Sequence, residues 1–153
     1  MRKTLKYQIL AIITVLIVAV QGSVFVNLGI DWFNLLNKPT QWIPNIVIPI
    51  VWTVIYLFTA IMLCVLIKNE NLTTGLLITF IVNGILNVLW CLVFFALNLT
   101  LIGNILIIIN LIAGWMLFIQ LIKVRNKYIN FYIIYPLWLS IATTLNLCLW
   151  ILN

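Results

Sequence analysis

Long apolar stretches alternate with short polar ones five times along the chain. The apolar runs cover about residues 7–27, 45–67, 72–97, 101–122 and 131–152, each close to the roughly 20 residues with which an α-helix crosses a bilayer. The turns KNENLTTG and KVRNKYIN are short and polar, and only Asn98–Thr100 separates the third run from the fourth. Connections of that length predict antiparallel neighbours. The first connection is different. Residues 28–44 end in the sequence GIDWFNLLNKPTQWIP, where prolines break helix and tryptophans suit the membrane interface. A structured loop is expected there, lying over one end of the bundle. The first run has no convincing small-residue cleavage site after its core, so it reads as a retained helix rather than a leader.

Polar positions inside these runs are few and they align. At about 100° per residue, Asn83, Asn87, Trp90 and Phe94 form one narrow stripe on the third helix, and Tyr135, Trp138, Ala142 and Asn146 form another on the fifth. Pro49, Trp52 and Tyr56 share a face of the second. Lipid penalises such stripes, so they must face protein, water or a ligand. Asparagine can act as interhelical glue and Trp32 and Trp42 as interface anchors. A set of rings, amides and one small residue also suits a flat, largely apolar ligand held by a few oriented hydrogen bonds.

Composition turns this pattern into a class. Of 153 residues 66% are hydrophobic and 7% charged, with a mean hydropathy of +1.28. Soluble domains run nearer half apolar and about a quarter charged, which leaves an all-α integral membrane protein, one domain over residues 1–153, most readily placed in a bacterial-type plasma membrane. The net charge of +6 sits at the ends of apolar runs and does not suit nucleic acid. Arg2, Lys3, Lys6, Lys68, Lys123, Arg125 and Lys127 fall on one side and Lys38 alone on the other, so the N-terminus is expected inside and the C-terminus outside. Cys64, Cys91 and Cys148 are isolated within spans and read as small apolar side chains. There is no histidine, and Asp31 and Glu70 are the only carboxylates. Hydrolytic and metal-centred catalysis are thereby disfavoured, and no intramembrane charge points to ion-driven transport.

Four ordered motifs carry a family resemblance: WFNLLNKPTQWIP from Trp32, VWTVIY from Val51, NVLWCLVFF from Asn87 and YPLWLSIATTLNLCLW from Tyr135. They resemble the TspO/MBR family of tryptophan-rich sensory and translocator proteins, whose pattern reads approximately WY..L.KP.W.PP, VWT.LY, N..W...FF and PY..W..FATTLN across five helices. The resemblance implies a ligand pocket formed by Trp52, Asn83, Asn87, Trp90, Phe94, Trp138, Ala142 and Asn146. It also implies a lid carrying Trp32, Phe33, Lys38, Pro39 and Pro44. Porphyrins such as protoporphyrin IX, other tetrapyrroles and benzodiazepine-type molecules are the implied ligands. No cofactor is required, no metal site or catalytic residue is implied, and homodimers are expected. Lys38 would sit at the mouth, within reach of a propionate.

The chain departs from the pattern in places. Gln41 and Ile43 stand where the family has Trp and Pro, Trp42 is displaced by one, and Phe33 replaces a tyrosine. Pro136 is shifted, and Asn104 is the polar residue nearest a usual acid. Leu147 and the lack of a basic residue after Trp150 argue against a specific sterol contact. Three functions fit the resemblance: a receptor for the flat ligand, a light-dependent porphyrin-degrading enzyme, and a transporter of the same ligand. Gly103 and Gly114 are candidates for the dimer face, although their spacing is not GxxxG.

Overall fold

The computed structural model describes residues 2–39, 43–124 and 128–153. Five helices account for nearly all of them: α1 (Arg2–Leu35), α2 (Val47–Lys68), α3 (Thr74–Cys91), α4 (Thr100–Lys123) and α5 (Ile134–Leu152). A π-helical turn, Leu92–Ala96, continues α3, and a 3-10 turn, Ile129–Ile133, leads into α5. Each of the five segments is long and apolar enough to cross a membrane. The protein is an integral membrane helical bundle.

Contacts run α1 to α2, α2 to the start of α5, α5 to α4, α4 to α3 and α3 back to α1, closing a ring in that order. Polarity is inverted relative to a soluble protein. Asn83, Asn87, Asn104, Asn110, Thr143 and Asn146 are buried, while leucines and isoleucines of every helix are exposed. A bilayer solvates the second set and leaves the first to find partners inside.

The connection between α1 and α2 corrects one expectation. Helix α1 does not end near residue 27 but runs to Leu35, so Trp32 and Phe33 are helical residues and only Leu36 onward forms the loop. Nothing between Phe25 and Leu35 breaks the helix, since Asn27 and Gly29 both tolerate helical dihedrals and the first proline comes at Pro39. Along α1 the buried positions Val15, Gly22 and Gly29 recur every seven residues, followed by Phe33. That narrow seam explains why the rest of the helix reads as apolar all round: it faces lipid.

Local signals set the other ends. Glu70 adopts φ 56° after α2, and the amides of Glu70 and Asn71 return to the carbonyls of Ile67 and Leu66 at 3.3 and 2.9 Å. This is a left-handed C-terminal cap, closed here without glycine. The Thr73 hydroxyl then caps α3 by accepting from the Leu76 amide at 3.3 Å. Asn98, at φ 57°, turns the chain between the π turn and α4, a conformation that asparagine tolerates better than most residues.

Candidate functional site

The residues that the sequence groups together are divided between two different spaces within the bundle. Trp52 of α2, Trp90 of α3 and Trp138, Ala142 and Asn146 of α5 line a small cleft of about 40 Å³, together with Phe33 of α1. The indoles of Trp52 and Trp90 lie 6.1 Å apart at 31°, and Tyr56 stacks on Trp52 at 5.8 Å. Phe94 is not part of the lining. It stacks behind Trp90 at 6.1 Å and 22° and meets Trp32 edge-on at 5.6 Å. The π turn widens the helix at this point. Consecutive rings, Phe94 and Phe95, are both buried as a result.

The electrostatics of the cleft are unusual for a membrane interior. Asn146 Nδ2 donates to Asn104 Oδ1 at 2.8 Å. Trp90 Nε1, Trp138 Nε1 and Asn104 Nδ2 are buried donors with no hydrogen-bond partner among the described residues. A buried unsatisfied donor costs about 1–3 kcal/mol. Two of these belong to residues that line the cleft, Trp90 and Trp138, and the third to Asn104, the partner of the lining residue Asn146, so acceptors would be welcome there.

Asn83 and Asn87 face elsewhere. They line a much larger cavity, about 770 Å³, bounded by α1, α2, α3 and Tyr132 and Tyr135. Among the described residues no tryptophan lines it. The Tyr135 hydroxyl donates to Asn83 Oδ1 at 2.9 Å and accepts from Asn87 Nδ2 at 3.1 Å. Asn110 of α4 donates to Asn87 Oδ1 at 2.8 Å, and its own carbonyl oxygen lies 3.4 Å from the Tyr135 hydroxyl. The asparagine stripe on α3 thus divides: its lower part joins this network, and Trp90 faces the aromatic cleft. Asn104 and Asn110 were not among the expected site residues. Their signal was the α4 series Gly103, Asn104, Ile107, Asn110, Gly114 and Leu117, all buried at helical spacing.

Gly103 and Gly114 belong to this interior rather than to a dimer face. A β-carbon at Gly103 would meet the Phe94 side chain at 2.9 Å, and one at Gly114 would meet Leu139 at 2.7 Å. Both are sites of close packing within one chain.

Lys38 follows α1 and folds back onto its last turn. Its Nζ donates to the carbonyls of Phe33, Leu36 and Asn34 at 2.8, 3.4 and 3.5 Å and lies 4.7 Å above the Phe33 ring. The cation closes the C-terminus of α1, where unpaired carbonyls and the helix dipole attract it. Desolvation there holds its pKa below the ordinary lysine value. The Asn153 side chain brackets Asn37, accepting from its amide at 2.9 Å and donating to its carbonyl at 3.1 Å, which ties the loop to the end of α5. Pro39 is half-buried, Pro44 is exposed and Ile43 packs on the core. The departures at Gln41 and Trp42 lie outside the described residues. Lys38→Met is expected to lose about 1 kcal/mol of stability, the usual worth of a cation at a partly buried helix end. Denaturation of the purified variant in mixed micelles checks it.

Five spans in this ring order, with the tryptophans of three motifs converging on one cleft, are accompanied by a match of the TspO/MBR family model to residues 10–151. The chain belongs to the TspO/MBR family. The match covers nearly every residue of the five helices, so the whole bundle is the family domain. No match is found among curated proteins. As a TspO/MBR protein it is a membrane-integral protein of a ligand-binding, sensory class.

Proposed function

We propose that this TspO/MBR protein is a receptor for a flat, largely apolar ligand of the tetrapyrrole class, protoporphyrin IX being the representative, held in the cleft between Trp52, Trp90 and Trp138. One observation carries the reading: Trp90 and Trp138, which line a cleft walled by aromatic rings, each bury an Nε1 donor that has no partner among the described residues. Ring faces provide stacking area, and the donors match the carboxylate oxygens at the edge of a porphyrin. Ala142 leaves space where a larger side chain would close the cleft.

The cleft as packed holds about 40 Å³, whereas ligand sites commonly span roughly 300–1,000 Å³. Binding therefore requires the Trp52–Trp90 pair to part and α2 to move from α5. Few residues join those two helices directly, far fewer than join α4 to α5, so this seam is the one that opens. Asn83 and Asn87, which the family pattern includes in the pocket, support the seam from the adjoining network in this reading.

The test replaces both indoles by phenylalanine, which keeps a ring and removes the N–H. The Trp90→Phe, Trp138→Phe double variant should bind protoporphyrin IX at least about tenfold more weakly, equivalent to about 1.4 kcal/mol, read from the shift of the porphyrin absorption band in detergent. Wild-type affinity in the double variant would overturn the placement.

A further inference from the structure

The larger cavity runs between α1 and α3 from the α2–α3 turn, where the exposed Tyr7 and Glu70 line it, up to Asn87. Along α1 it is lined from Tyr7 to Val18 and along α3 from Leu77 to Asn87, which at 1.5 Å per residue makes a slot roughly 15 Å long. The wall toward α2 is latched: Gln8 Nε2 donates to the Cys64 carbonyl at 3.0 Å. The wall toward α3 is not. Leu10 and Thr14 of α1 and Leu77, Ile81 and Ile85 of α3 line the slot and are themselves exposed. Farther along, Gly22 and Gly29 are buried and Gly29 brings α1 onto the π turn. Helices α1 and α3 thus meet at one end and splay at the other, and the splay faces the hydrocarbon of the bilayer.

The deep end of the slot is polar and has donors to spare. A carboxamide nitrogen carries two hydrogens. Asn83 Nδ2 spends one on the Thr79 carbonyl at 2.9 Å, and Asn87 Nδ2 spends one on Tyr135 at 3.1 Å. The second N–H of each bonds to nothing among the described residues. The Tyr56 hydroxyl, also in the lining, makes no hydrogen bond among the described residues either. Acceptors at this end are engaged: Asn83 Oδ1 receives Tyr135 and Asn87 Oδ1 receives Asn110. The complement of such a surface is an uncharged acceptor on a hydrocarbon chain.

We infer that the α1–α3 slot is a second ligand site, distinct from the tryptophan cleft, for an elongated neutral lipid carrying a carbonyl. The lipid enters sideways from the bilayer, carbonyl first, and its oxygen accepts from Asn83 and Asn87 while its chain lies between Ala11, Leu63 and Phe80. A saturated hydrocarbon fills the same space but leaves the donors unpaired. A charged headgroup is excluded from the deep end, where no counter-ion is placed.

The probe is a long-chain methyl ketone with an isotope-labelled carbonyl, added to the full-length protein in nanodiscs and followed by infrared spectroscopy. The expected result is a second carbonyl band at lower frequency, saturating at one ketone per chain. A tenfold excess of the alkane of equal length should not displace it. Ala11→Phe, which fills the slot from α1 without touching the network, should abolish the shifted band and leave the porphyrin absorption shift intact. The absence of a shifted band in the wild type, or its displacement by the alkane, overturns the inference even if Ala11→Phe fails to fold. Loss of porphyrin binding together with ketone binding in a folded Ala11→Phe protein would show one shared site and would equally overturn it.

Discussion

Gly29→Ala is expected to destabilise the bundle by about 3 kcal/mol or more, at or beyond the usual upper range for overpacking a filled interior. A β-carbon there would lie 2.0 Å from the Phe95 carbonyl oxygen and 2.4 Å from its carbon. These are backbone atoms of the π turn, and no rotamer change relieves the clash. Either α1 moves away from α3 or the π turn rewinds, and in both cases Phe33 loses its tilted contact with Phe95 at 5.3 Å. Gly75 is the control: a β-carbon there meets nothing within 4 Å, and Gly75→Ala on exposed helix should stabilise slightly through its better helix propensity. Denaturation in mixed micelles measures both. Equal midpoints for the two variants would refute the close packing of α1 on the π turn.

Gly29 also shows what the sequence could and could not reveal. Five spans, their order and their antiparallel turns follow from apolar run length, because bilayer thickness sets that length whatever the helices pack against. The end of α1 was misplaced because a charged residue, a tryptophan and a coming proline look like an interface loop, yet the helix continues until its carbonyls find Lys38. The residues of the tryptophan cleft were recognisable by the helix face they share and by their motifs. Their division between two spaces was not, since a stripe of asparagine and tryptophan on α3 has the same period whether it meets one cavity or two. The π turn was equally hidden, because LVFFA has no proline or glycine and the residues that pack against it lie on other helices: Gly29 approaches its backbone and Gly103 its Phe94 side chain.

The second large effect is expected at Tyr135. Its hydroxyl is the shared atom of the network, donating to Asn83 Oδ1, lying within 3.4 Å of Asn110 Oδ1 and accepting from Asn87 Nδ2. Interhelical hydrogen bonds in membrane proteins average about 0.6 kcal/mol and reach about 1.7. Removing the atom at which several meet should therefore cost about 2 kcal/mol in Tyr135→Phe. Tyr132→Phe supplies the comparison. Among the described residues that hydroxyl has one partner, Thr59 Oγ1 at 3.1 Å, and Thr59 keeps its own bond to the Ile55 carbonyl at 2.8 Å. A loss of well under 1 kcal/mol is expected there. Adding Asn83→Ala to Tyr135→Phe should cost less than the sum of the single changes, because the second substitution removes a group that the first has already left unpaired. Strict additivity would mean that Tyr135 and Asn83 are independent packing residues, and the network would then have no part in joining α3, α4 and α5 beneath the tryptophan cleft.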